Sequence, residues 1–92
     1  MAMINEFSKS IGMIPEKILG DSRNPEVSCA RQLFWKILRE KGRRSFREIG
    51  EMNDRDTSTI LLGIKRINGL LDSGDALAVS MWDKVKHLNE VI

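Results

Sequence analysis

Ser45-Phe46-Arg47-Glu48-Ile49-Gly50, followed beyond Glu51 to Asp54 by Arg55-Asp56-Thr57-Ser58-Thr59-Ile60, is the stretch whose reading decides the fold. A serine three residues ahead of a glutamate forms a capping box. Its hydroxyl accepts from the third helical amide, and the glutamate reaches back to the serine amide. The helix that starts there turns Phe46 and Ile49 inward. Helical continuation is interrupted around Gly50 to Asp54, where Asn53 and Asp54 tolerate turn conformations. A second helix, from about Asp56 to Leu71, then sets Ile60, Ile64, Ile67 and Leu71 on one face. A short capped helix, a tight turn and a second helix make a helix-turn-helix over about residues 45–71.

Upstream, Val27, Ala30, Leu33, Phe34, Ile37 and Leu38 recur at three- and four-residue steps, giving the longest helix one apolar stripe. Asn24 is its N-cap, Pro25 suits the first position, and Glu26 favours the positive end of the helix dipole. Arg31, Lys36 and Arg39 fall off the stripe, toward solvent or a ligand, and Gly42 can take the left-handed position that ends the helix. Ahead of it, Ile4, Phe7 and Ile11 share a face of a helix from about Ile4 to Met13, and Pro15 opens a short one through Leu19. Downstream, Asp72 to Asp75 is a turn, and a last helix from about Ala76 to Val91 uses Leu77, Met81, Val85 and Leu88. These six helices, each with one apolar face, imply an all-α protein: a compact orthogonal bundle, one domain over residues 1–92.

Composition narrows the function. No apolar run approaches the roughly 18 residues of a membrane span, and the opening residues carry no signal-peptide pattern. The single cysteine, Cys29, excludes an internal disulfide framework and fits a reducing cytosol, so a cytoplasmic location without membrane contact is expected. Cys29 and the single histidine, His87, lie far apart and offer neither a zinc site nor a nucleophile–base pair, and His87 is expected on the surface. With no glycine-rich phosphate loop either, neither an enzyme nor a bound cofactor is expected. Trp35 and Trp82 read as core or semi-core aromatics.

The net charge is only +2, but residues 23–66 hold eleven Lys/Arg against six Asp/Glu. Within that region Lys36, Arg39, Lys41, Arg43, Arg44 and Arg47 are opposed only by Glu40. Such a block can neutralise phosphates, or simply form a solvated face. The first turn of the second motif helix packs Asp56, Thr57, Ser58 and Thr59. In a helix-turn-helix these positions touch base edges. Asp accepts from cytosine N4, and Ser or Thr bonds bases or meets a thymine methyl. The same residue types also serve as plain helix caps.

The run Val27-Ser-Cys-Ala-Arg-Gln-Leu-Phe-Trp-Lys-Ile-Leu-Arg-Glu40, with Ser45 to Gly50 and Arg55 to Ile60, resembles the C-terminal DNA-binding domain (domain IV) of the bacterial replication initiator DnaA. Arg-Gln, Glu-Ile-Gly and Arg-Asp-x-Ser-Thr in this order carry the likeness, which runs without gaps from about residue 14 to 71. The resemblance implies a fold of the DnaA domain IV or Trp repressor-like kind, and nucleoid-associated binding of duplex DNA at an AT-containing nine-base-pair box. It also implies a link to replication initiation or its regulation, with other replication proteins as candidate partners. By position, Arg23 falls where the family places a minor-groove arginine, and Asp56, Thr57, Ser58 and Thr59 fall on the major-groove readers. Arg31, Arg39 and Arg55 fall on backbone-positioning or supporting contacts.

The chain departs from the pattern. Asn53-Asp54 stands where the family usually has Gly-Gly, Thr57 where it has histidine, and Cys29-Ala30 where it often has Arg-Pro. A helical protein-interaction domain that kept the fold and lost DNA is the alternative, supported by Glu51, Asp54 and the missing histidine.

Overall fold

The computed structural model describes residues 2–89. Its elements in chain order are α1 (Ala2–Ile11), α2 (Pro15–Leu19), α3 (Pro25–Glu40), α4 (Phe46–Asn53), α5 (Thr57–Asp72) and α6 (Ala76–Val85), followed by a 3₁₀ turn over Lys86–Asn89. The last helix, expected to reach Val91, tightens to 3₁₀ geometry after Val85, as helix ends commonly do. Its expected final residues lie outside the described ones. The others match the expected elements to within about two residues, apart from the end of α4, which runs on to Asn53.

α3 is the axis of the bundle and packs against α1, α2, α4, α5 and α6. It starts where Asn24 accepts a hydrogen bond from the Glu26 amide at 3.0 Å. With neighbours on most sides, one apolar stripe does not suffice: Cys29, Arg31 and Trp35 are buried beside the expected core residues. The Phe7 and Phe34 rings meet at 5.3 Å between centroids, tilted by 53°, and join α1 to α3. Ile60, Ile64 and Ile67 bring α5 onto the same core, while Leu71, Leu77 and Leu88 pack only half-buried at its margin.

The end of α3 differs from expectation. The left-handed residue is Arg43, with φ 53°, not Gly42. Gly42 serves another need, because a Cβ there would lie 2.6 Å from the Leu38 carbonyl oxygen. Arg43 then turns the chain so that the Arg44 amide donates to Leu38 O at 3.1 Å, and α4 begins two residues later.

Candidate nucleic-acid interface

The capping box forms as the sequence implies. Ser45 Oγ accepts from the Glu48 amide and Glu48 Oε1 accepts from the Ser45 amide, both at 3.0 Å. Those bonds favour the carboxylate, so Glu48 titrates below the ordinary range, with Arg44 adding to the effect. α4 runs through Gly50 to Asn53, so the break falls later than Gly50, at Asp54, whose φ 54° and ψ 50° are left-handed. Asp and Asn are the non-glycine residues that adopt this conformation most readily. Gly50 permits the turn by close approach, since a Cβ on it would meet the Arg55 carbonyl oxygen at 2.5 Å. The Arg55 amide in turn donates to Gly50 O at 2.8 Å.

α5 opens at Asp56, whose carboxylate makes no capping bond to the helix. Thr57, Ser58 and Thr59 are exposed, and among the described residues their hydroxyls have no hydrogen-bond partner. A purely capping cluster would use its carboxylate on the helix amides. Here the carboxylate, the hydroxyls and the first-turn amides are all open to a ligand, an arrangement suited to base edges and phosphate oxygens.

Beside this turn lies a cleft of about 480 Å³ between α3, α5 and the loop after α2, lined by Arg23, Arg31, Arg55 and Arg66 together with Asp21, Thr59 and Leu62. Two of these arginines build the cleft as struts. Arg31, expected to point toward solvent or a ligand, is only 8% exposed. Its Nε donates to Ile18 O at 2.9 Å and its Nη1 to Ser22 O at 3.1 Å. Burial and the neighbouring Arg55 hold its pKa below the usual guanidinium range while Asp21 opposes them, yet it stays a cation. Arg55 donates from Nη2 to Gly20 O at 2.6 Å and from Nη1 to Asn53 O at 3.3 Å, tying the motif's turn to the same loop. The loop so held presents Arg23, exposed and unpaired among the described residues. Arg31 Nη2 and Trp35 Nε1 are buried donors with no acceptor among the described residues. With four arginines against the single acid Asp21, the cleft's charge suits oxyanions.

The remaining basic residues stand apart, where α3 hands over to α4. Arg39 donates to Arg44 O at 3.0 Å and lies over the Phe46 ring, 4.4 Å from its centroid. Arg44 pairs with Glu48 at 3.7 Å and Arg47 with Glu51 at 3.2 Å. Lys36, half-buried, pairs with Glu40 at 2.7 Å, bonds Asn68 at 2.6 Å and lies over Trp82. The block of residues 36–47 is therefore more neutralised than its own composition suggests, because Glu48 and Glu51 sit one helical turn along from its last arginines. Arg43 keeps an unpaired charge among the described residues. On the other side of the α5 start, Glu51, Asp54 and Asp56 line a shallow acidic hollow.

Sequence reasoning missed Arg66 and Leu62 in the cleft. Both were within reach, since Thr59, Leu62 and Arg66 follow the three- and four-residue steps of one helix face. Cys29 is buried and its thiol is pushed up to about 11, chiefly by burial and then by Asp75, so it is no nucleophile near neutral pH. His87 is exposed, 3.4 Å from Ser10 Oγ, a surface contact between the 3₁₀ turn and α1.

Two helices set at a tight turn, the second with its first turn left open, form a helix-turn-helix, and that is the class of protein these elements define. Within that class the chain belongs to the bacterial DnaA helix-turn-helix family, whose family model, described as "Bacterial dnaA protein helix-turn-helix", matches residues 2–67. It is 39% identical over 73 residues to chromosomal replication initiator protein DnaA 1 of Chlamydia muridarum, covering 79% of this chain and 16% of that protein. Over 74 residues it is 34% identical to the DnaA of Thermus thermophilus, covering 79% and 17%. Over 87 residues it is 30% identical to DnaA 2 of Chlamydia caviae, covering 94% and 19%. The chain thus spans less than a fifth of the length of these relatives. No solved structure matched.

Proposed function

We propose that this chain is a non-catalytic, sequence-specific binder of duplex DNA, recognising a site related to the DnaA box and acting in replication initiation or its regulation. The observation that carries this reading is the open first turn of α5, with Asp56, Thr57, Ser58 and Thr59 unengaged, beside a cleft edged by Arg23, Arg31, Arg55 and Arg66. In the complex, α5 lies in the major groove with those four residues at base edges. Arg23 enters the adjacent minor groove, where a narrow AT-rich stretch concentrates negative potential. Arg43, Arg44 and Arg47 face backbone phosphates, with Arg39 positioned beside them. Arg31 and Arg55 act mainly by holding the loop that aims Arg23. Phosphate contacts position the protein and base contacts specify the sequence. Residence with the nucleoid in the cytoplasm, and contact with other replication proteins, belong to the same proposal.

Selection of bound duplexes from a randomised pool, repeated at two salt concentrations, tests it. The expected result is one enriched motif, and an affinity that falls with a log–log slope of about −4 to −5 for roughly five phosphate contacts. Binding that is undetectable at low salt, or flat with salt, would overturn it. That outcome favours a protein partner, for which the hollow of Glu51, Asp54 and Asp56 is the candidate surface.

A further inference from the structure

We propose that Leu62 is a specificity-determining residue that reads the methyl group of a thymine in the major groove, an inference that rests on α5 being the recognition helix. Leu62 is 63% exposed and takes no part in the hydrophobic core. α5 is held to the bundle by Ile60, Gly63, Ile64 and Ile67 instead. A leucine left in water forgoes the stabilisation of burial, which the free protein recovers nowhere else.

Its position says what would cover it. Leu62 follows Ser58 by four residues and Thr59 by three, so the three side chains share a helix face. At 1.5 Å of rise per residue, Leu62 lies about 4.5–6 Å further along α5. Base pairs stack about 3.4 Å apart, so it stands one to two base pairs from those the hydroxyls reach. The rim around it is cationic on balance, with Arg23, Arg55 and Arg66 lining the same cleft against one acid, Asp21. Such surroundings favour a polyanion over an apolar protein surface. Leucine has no polar atom, and the apolar feature a base pair offers in the major groove is the thymine C5 methyl. Duplex DNA with a thymine beside the bases read by Ser58 and Thr59 is therefore the occupant.

The test uses the full chain and duplexes it has selected from a randomised pool, with each thymine replaced singly by deoxyuridine. That change removes the methyl and leaves the pairing edge intact. Burial of one methyl group corresponds to roughly a four-fold affinity change. Uracil at one position should weaken binding of the unaltered protein by about that factor, and of Leu62→Ala by less than about two-fold. Ile14→Ala, which trims a side chain of equal exposure (62%) outside the motif, should keep the full penalty. Leu62→Gln should enrich adenine at the same position on reselection, since glutamine pairs with the adenine edge. No uracil penalty at any position, or none that Leu62→Ala abolishes, overturns the inference and leaves duplex binding intact. Failure of the unaltered chain to bind any duplex would instead strike the reading on which it rests.

Discussion

Gly63 and Trp35 form a matched pair at the seam between α3 and α5, and substituting one should change sign with the identity of the other. A Cβ built on Gly63 lies 2.6 Å from Trp35 Cζ3 and 2.8 Å from Cε3. Ordinary carbon contacts fall at about 3.5–4.0 Å, so the ring or the helix must give by about 1 Å. Trp35 is only 4% exposed, so its ring is packed on nearly every side. Overpacking of this kind costs about 1–3 kcal/mol. Replacing a mid-helix glycine by alanine gains about 1 kcal/mol, leaving Gly63→Ala roughly 0–2 kcal/mol destabilising. Trp35→Leu removes the ring and destabilises on its own. On that background Gly63→Ala should become stabilising by about 1 kcal/mol, a coupling of about 1–3 kcal/mol. Denaturant titrations of the four proteins measure the cycle, and duplex affinity measured in parallel should dip in Gly63→Ala and recover in the double variant. Equal effects of Gly63→Ala on the two backgrounds would refute the idea that this contact sets the seating of α5.

Four further outcomes are expected. Arg23→Ala should weaken binding by about 1–3 kcal/mol, with the larger loss on AT-rich sites, whereas equal losses on AT- and GC-rich duplexes would make it a plain phosphate contact. Asp54→Asn keeps a residue tolerant of the left-handed turn and removes an acid, so affinity at low salt should rise while the melting temperature holds. Ser45→Ala should cost about 1 kcal/mol of stability. Glu48, held below its usual 4.5 by its bonds to Ser45, should contribute stability that is complete above that pH and lost as pH falls through its lowered value. Melts of the unaltered protein and Glu48→Gln should accordingly converge in acid and diverge toward neutrality.

The order of helices and most of their boundaries were legible because they rest on local chemistry. Asn24, Ser45 and Asp75 cap by bonds to amides two or three residues away, and the apolar spacing in α1, α3 and α5 repeats within a single turn. Two features were less legible, for different reasons. Gly42 and Arg43 exchange the expected left-handed role because the approach of the Leu38 carbonyl, and not φ, is what demands a glycine at position 42. Trp35 is buried, as expected of a core or semi-core aromatic, but its seat was hidden: it lies off the apolar stripe of α3, where the missing Cβ of Gly63 makes room for it. That pairing spans separate helices and carries no periodic signal.

The site divides along the same line. Thr57, Ser58 and Thr59 stand open because nothing within a turn of them claims their hydroxyls, a property of their local surroundings. Arg31 and Arg55 are another matter. Their distant acceptors, Ile18 O and Ser22 O for one and Gly20 O for the other, belong to the end of α2 and the loop after it, 9 to 35 residues upstream. A sequence pattern can mark an arginine at such a position without saying whether it meets DNA or the protein. The distinction changes what their loss would do. An arginine that only touches phosphate leaves the fold intact when removed, whereas loss of Arg31 strips the buried Ile18 carbonyl and the Ser22 carbonyl of a donor and frees the loop that carries Arg23. Such a variant should lose stability and minor-groove preference together. Lysine at position 31, a point charge without the planar fork, should restore neither in full.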